Sequence, residues 1–578
     1  MKRIELAIVC LLLPVLSFGQ LHEPAIDFKE AERALEKVMP MKIDDPATQE
    51  QVCTIASMVG VHQFIDHRYE DAIRTLEYAI GHSKTAGETI QIQNHVFLIH
   101  ALCITHNRRA LKRLQDLTPL LQELQTNTMR GDFPVEYADG MREVMDSLLL
   151  PLTSIVSRTF PDNETLSYCF NLMLFLKQFA FYQLGNKTEA DIKHELYRDY
   201  RRLIASRLKR DEVAIELVPC MDIDGRLVKG TIYIAYILDS AGRLTLAEVC
   251  NKKDVEALYQ HHNESSWQLY GKNDTRLTSL LWNKLRPSTA GKKRIYLTPC
   301  GLLNRVNFLM FDTHIYELSS VCELIRPYNA NPRSDALLIG DIDYDQSTTS
   351  AVRGERDWGA LNGTRLEIES IAKTLSARYA VTKLTKDFGT EQAVRKLCNA
   401  SPKILHFATH AICYTDQLRR DQYGYFDFPH NYDPERPELT YTGLVLSGGN
   451  IGFKRTGNRR LDNDGILLSE EIAKLHLENT DLAVLSACNS ANGIFDDIDG
   501  TLGLVKAFKL AGVNTIIASL SKVDDQATSQ FMSHFYLRLS RGESLHAAFI
   551  NAINHMKTRY PDQPKFWAMF KMIDCREP

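Results

Sequence analysis

The chain is predicted to be an α/β protein in its C-terminal half, with a mostly parallel sheet flanked by helices, preceded by a smaller α/β region and an all-α N-terminal domain. Three observations predict this. From 28 to about 208, apolar residues recur at spacings of three and four, the period of a helix with one buried face. Near 205 the texture changes to short β-branched runs, which read as strands. Beyond the turn-rich stretch 327–335, strand and helix patterns alternate strictly, and such alternation builds a parallel sheet covered on both faces.

The helical part includes 34–38, 69–80 and 90–104. Residues 68–83 with their flanks, HRYEDAIRTLEYAIGHSK, resemble half of a tetratricopeptide repeat, in which small residues such as Ala72 and Ala79 let two helices approach closely. A clear recurrence at about 34 residues is missing, so a degenerate repeat array and an ordinary helical domain both remain open. Strands are expected at 211–218, 230–238, 243–250 and 292–300, then at 336–340, 380–384, 404–408, 482–486 and 514–519. Helices are expected at 365–376, 391–399, 469–474 and 501–511. The domains read as a leader at 1–19, a helical domain at 20–208, an α/β region at 211–331 and a second at 332–578.

A chain of 578 residues needs several hydrophobic cores. With 44% hydrophobic and 24% charged residues and a net charge of -4, it has neither a disordered profile nor the basic one of a nucleic-acid binder. Lys2 and Arg3 precede an apolar stretch to Leu16 and the small-x-small sequence Ser17-Phe18-Gly19, the pattern of a secretory signal peptide cleaved near Gln20. A secreted or periplasmic protein is therefore expected, without stable membrane insertion, since the apolar stretch is too short to span a bilayer. The twelve cysteines form no CxxC pairs and no zinc-spaced clusters, so no metal and no cofactor are expected. Most lie in apolar runs, Cys103, Cys169 and Cys250 among them, where a buried free thiol is the common state. Cys488 alone has a context that asks for reactivity.

Two segments carry the chemistry: KILHFATHA at 403–411 and DLAVLSACNSANG at 481–493. Each is an apolar strand-like run ending on a residue of nucleophilic chemistry, His410 after the third strand of the last region and Cys488 after the fourth. Ligand crevices of open α/β sheets lie outside the carboxyl ends of the strands, so a thiol and an imidazole on neighbouring strands would meet over one substrate. The imidazole lowers the thiol pKa and later delivers a proton to the leaving amine. The backbone N–H groups of Cys488 and Ala411 are the natural oxyanion donors. His406 lies four residues before His410, a zinc spacing on a helix, but along a strand the two rings stand roughly 13 Å apart, and His406 reads instead as a buried support. The turn Gly340-Asp341-Ile342-Asp343 reads as a loop beside the cleft, and the long insertion 413–438 as a lid or a solvated loop.

These residues resemble the CHAT-domain proteins, caspase-like relatives of separase. The family pattern HxxTHG stands here as His406-Phe407-Ala408-Thr409-His410-Ala411, and its LSAC motif as Leu485-Ser486-Ala487-Cys488. Further similar segments are GLVLSGG at 443–449, DGILLSEEI at 464–472, 499–528, and FWAMF at 566–570. The resemblance implies a caspase-like fold, His410 as general base and Cys488 as nucleophile, with 211–331 an inactive protease-like half that buttresses the active one. It also implies that an acidic residue receives a basic substrate side chain. Asp525 is the candidate for that role and Asp499 a secondary one, while Asp524 or Asp525 caps the following helix. Ala411 replaces the usual glycine, Asn489-Ser490 a common Glu-Thr, and Ser521-Lys522 a common Trp-Pro, changes that touch specificity. The expected function is that of a secreted cysteine endopeptidase acting on protein or peptide substrates, whose helical region binds a protein partner or holds the site latent. The rival expectation is a helical scaffold carrying a protease fold without turnover.

Overall fold

The computed structural model describes residues 27–82, 88–129, 150–182, 194–224, 227–260, 266–328, 332–345, 358–413, 442–450, 463–487, 503–520 and 524–576. The chain divides into two compact units, one of 1–202, 218–236 and 244–252, the other of 203–217, 237–243 and 253–578.

Helices α1 (Phe28–Val38), α2 (Pro46–Ile65), α3 (Tyr69–His82), α4 (Glu88–Ile104), α5 (Arg109–Met129), α6 (Leu150–Thr159) and α7 (Asn163–Tyr182) build the first unit. Their starts are chemically marked. Asp27 caps α1 by accepting from Lys29 N at 3.0 Å, and Asp45 caps α2 from Thr48 N at 2.7 Å with Pro46 at the first helical position. Ala72 and Ala79 of α3 are fully buried, and a Cβ on Gly60 of α2 would lie 2.7 Å from Leu76 Cγ. Small side chains thus set the approach of α2 to α3.

After α8 (Tyr200–Ala205) come β1 (Glu212–Asp224), β2 (Leu227–Asp239) and β3 (Leu244–Asn251). Within the first unit, parts of these strands cover α6 and α7. Ser157 and Tyr236 share a hydrogen bond of 2.6 Å, the Phe170 and Tyr236 rings stand 5.5 Å apart, and Arg158 Nε donates to Glu248 at 2.7 Å. The reason lies in α7, where Phe170, Leu172, Met173, Leu174, Phe175 and Leu176 are all buried and so occupy more than one face.

In the second unit the chain continues through α9 (Lys252–Gln260), α10 (Asn283–Thr289), β4 (Arg294–Thr298), β5 (Ile315–Glu317), β6 (Asp335–Ile342), α11 (Asn362–Leu375), β7 (Ala380–Lys386), α12 (Glu391–Arg395) and β8 (Ile404–Ala408). It ends with β9 (Ala411–Cys413), β10 (Thr442–Val445), β11 (Ile466–Leu468), α13 (Ser469–Ala473), β12 (Leu482–Ser486), α14 (Leu504–Leu510), β13 (Thr515–Ser519), α15 (Asp525–Ser540), α16 (Leu545–Arg559) and β14 (Phe570–Ile573). The sheet here runs β1-β4-β5-β14-β13-β12-β8-β6-β7. Its pairs are parallel except β13 with β14. Alternate residues of β8 face opposite layers: His406 reaches Glu367 of α11 and Tyr536 of α15, whereas the Phe407 ring lies 5.7 Å from that of Phe508 on α14. The expected parallel sheet flanked by helices is present.

Two local features differ from the sequence expectations. The Gly340-Asp341 stretch is not loop: β6 runs through it to Ile342 with a register irregularity between Ile339 and Ile342. Asp341 and Lys386 both take positive φ there (52° and 54°) and are joined by a 2.7 Å ion pair, so the bulge and its salt bridge carry the strand onward. The second is a three-stranded antiparallel sheet, β11-β10-β9, built from segments noted in the sequence only as motifs. Its pairing Thr442↔Cys413 brings together the residues that flank 414–441, a segment that holds all but the first residue of the 413–438 insertion and lies outside the described residues, as do residues 1–26 with the expected leader.

Candidate active site

The site begins with a register. β8 and β12 are parallel neighbours, paired from Leu482↔Ile404 to Ser486↔Ala408, so both strands leave the sheet at one level. His410 stands two residues beyond Ala408. Cys488 is two residues beyond Ser486 in the sequence and lies outside the described residues, as do Asp499, Asn489, Ser490, Ser521 and Lys522. The chain entering that segment is anchored: buried Ser519, last residue of β13, donates its hydroxyl to the Ala487 carbonyl at 2.6 Å.

His410 is half-buried and held on several sides. Its Nε2 lies 2.9 Å from the Gly359 carbonyl oxygen. A carbonyl only accepts, so Nε2 carries the proton and the basic lone pair of the neutral ring is on Nδ1. The Tyr344 ring lies 5.0 Å from the imidazole. Beneath it, Thr409 Oγ1 donates to the Val445 carbonyl and accepts from the Tyr344 hydroxyl at 2.9 Å. The Val445 N–H donates to the His410 carbonyl at 2.9 Å. That bond makes Ala411 and Leu444 a pair that exchanges no hydrogen bonds with each other, so the Ala411 N–H takes no part in the β10 ladder.

His406 is fully buried, with Nε2 3.1 Å from Glu367 Oε1 and Nδ1 3.1 Å from Tyr536 Oη. Both ring nitrogens are engaged in tying β8 to α11 and α15. Of the acidic pair, Asp524 is the cap of α15, its side chain accepting from Ala527 N at 2.9 Å. Asp525 is the first helical residue, and its side chain lies outside what is described. Among the described residues no cluster of three or more His, Cys, Asp or Glu side chains is arranged to hold a metal ion. Cys103 and Cys169 are buried free thiols and Cys250 is partly exposed; burial pushes the Cys169 thiol up to about 12.

Sequence reasoning missed several contributors: Gly359 through its carbonyl, Tyr344, and Glu391. Glu391 on α12 accepts from the Gly465 N–H at 2.5 Å and pairs with Arg395 at 3.1 Å. Burial, followed by the charges of Asp464 and Glu471, raises its carboxyl to about 8. Gly465 has φ of +86°, and a Cβ there would stand 2.3 Å from Gly449 N. Glu391 therefore fastens the entrance of β11 against the turn after β10.

The geometry defines an α/β protein with adjacent parallel strand ends that present an imidazole beside the start of a cysteine-bearing segment. Residues 275–574, a little over half the chain, match the CHAT domain, and the chain belongs to the CHAT domain family. Among solved structures it is similar to the Arg-specific cysteine proteinase gingipain R, RgpB, at 9% identity and a TM-score of 0.32, covering 56% of this chain and 74% of that one. The complex of Porphyromonas gingivalis RgpB pro- and mature domains is similar at 11% identity and a TM-score of 0.31, over 56% of this chain and 77% of that one. The Saccharomyces cerevisiae separase-securin complex is similar at 9% identity and a TM-score of 0.47, over 94% of this chain and 45% of that one. The chain thus spans about half the length of the separase chain. No curated protein matches it.

Proposed function

We propose that the chain is a secreted CHAT-type cysteine endopeptidase that cleaves proteins after basic residues. The observation that carries this reading is the parallel register Ser486↔Ala408, from which His410 and Cys488 each follow two residues on. In the proposed reaction, His410 Nδ1 takes the Cys488 thiol proton and the thiolate adds to the scissile carbonyl carbon. The resulting oxyanion is met by the N–H groups of Cys488 and Ala411, a role supported by the absence of the latter from the β10 ladder. As the C–N bond breaks, the imidazolium returns the proton to the leaving amine, and water then hydrolyses the thioester. Asp525, or secondarily Asp499, would receive the basic substrate side chain; the capping role of Asp524 supports the choice of Asp525. Residues 20–208 would bind a protein partner or hold the site latent, and 211–331 would buttress the active half, 332–578. The leader at 1–19 would direct export.

The test is labelling with an iodoacetamide thiol probe and cleavage of a peptide library by the full chain, Cys488→Ser and His410→Gln. Selective labelling at Cys488 and cleavage lost in both variants is the expected result. Absence of both in the unaltered chain would leave the scaffold reading. The basic-residue preference fails if Asp525→Ala leaves it unchanged, and export fails if the protein isolated from its host keeps residues 1–19.

A further inference from the structure

Asn450 follows the turn after β10 and is 3% exposed, yet its amide is engaged at both ends. Oδ1 accepts from Trp358 N at 2.8 Å, while Nδ2 donates to the Trp358 carbonyl at 3.1 Å and to Asp345 Oδ1 at 2.8 Å. Its own N–H donates to the Tyr344 carbonyl at 3.0 Å. One side chain thus grips both main-chain polar groups of Trp358, as a neighbouring strand would, and sets the two peptide planes that flank it. The next carbonyl along the chain is that of Gly359, the acceptor of His410 Nε2–H. Gly359 has no side chain to anchor that carbonyl, and a Cβ built on it would meet nothing within 4 Å.

We propose that Asn450 is a positioning residue for His410, acting through the Trp358-Gly359 main chain to hold the imidazole as its Nε2–H tautomer with Nδ1 as the base. The catalytic consequence rests on the peptidase reading; the tautomer itself does not. Asparagine is needed because the contacts require one acceptor and a two-proton donor on the same planar group. In Asn450→Asp the acceptor to Trp358 N survives, but both donors are lost, and the new carboxylate faces the Trp358 carbonyl and the Asp345 side chain. The Gly359 carbonyl is then free to turn, and the ring can exchange tautomers.

Two readouts on the full chain test this. The first is nitrogen NMR of histidine-labelled protein, with the His410 signals assigned by their loss in His410→Asn. The unaltered chain should show His410 as the Nε2–H tautomer, and Asn450→Asp a mixture with a displaced titration. The second is the rate of Cys488 alkylation by iodoacetamide against pH, expected to fall about tenfold near neutrality in Asn450→Asp as the thiolate loses its partner. A folded Asn450→Asp protein with the tautomer and alkylation profile of the parent overturns the proposal. If that variant does not fold, the unaltered chain still decides: His410 found as the Nδ1–H tautomer refutes the link through Gly359. A tautomer that changes as expected in a chain that cleaves no peptide would sink the peptidase reading and leave the positioning role standing.

Discussion

His410 shows how little of a site a single side chain contains. Its identity was legible because an imidazole at the end of an apolar strand is a chemical signal in itself. What orients it was not legible. The Gly359 carbonyl belongs to the main chain and has no letter in the sequence, and the Asn450 amide meets Trp358 across 92 positions. Thr409 lies between these extremes, since its place in the motif was visible but its two hydrogen bonds were not. Thr409→Val keeps the shape and removes the hydroxyl that serves the Val445 carbonyl and the Tyr344 hydroxyl. With both partners buried, the substitution should cost about 1–3 kcal/mol in urea unfolding. It should also loosen the Tyr344 ring against His410, visible as a changed His410 titration. Unfolding curves that superimpose on the parent would contradict this account of the hydroxyl.

At the scale of elements, the principal strands were legible and their small companions were not. β8 and β12 occupy the expected ranges because each is a five-residue run with four apolar residues, buried throughout, that the apolar pattern detects. The β9-β10-β11 sheet escaped because its strands are three or four residues long and its first two are separated by residues 414–441. What secures this sheet is partly Glu391, and its raised pKa makes the contribution depend on pH. A carboxyl raised from 4.5 to about 8 binds its proton more tightly in the folded than in the unfolded chain. Its stabilising effect is complete below 4.5 and is lost as pH rises through 4.5 to about 8. Glu391→Gln should flatten that decline in urea unfolding measured across this window; parallel curves for parent and variant would exclude the assignment. Gly465→Ala should destabilise at every pH, because neither its positive φ nor its contact with Gly449 accepts a methyl group.

At the scale of the whole molecule, buried ionisable groups mark where the two units are vulnerable. In the first, His95 and His100 are buried with one ring nitrogen each unpartnered, and burial lowers both from 6.5 to about 4. The unfolded chain takes up these protons first, so stability is full above 6.5 and lost as pH falls toward 4. Acidification should therefore open the helical unit first, with hydrogen exchange rising in α4, and His100→Leu should reduce the effect. In the second unit, Lys509 lies 3.0 Å from Asp574 and Lys571 pairs with Glu317, all four buried around β14, and Lys509 also lies 3.4 Å from the partly exposed Glu323. Lys509→Met leaves buried Asp574 without its cation, while Glu323 keeps Arg326 and Arg576, and should cost about 3–5 kcal/mol. No periodicity announced these pairs, since each joins residues far apart in the chain. The hairpin base at Thr442↔Cys413 has one more consequence, for covalent continuity. A peptide bond broken anywhere in 414–441 would put His410 and Cys488 on separate polypeptides, yet the β8-β12 and β9-β10 ladders would still join the fragments. The nicked protein should run as two bands under denaturing electrophoresis and as one species under native conditions, a two-chain protein assembled by its sheets.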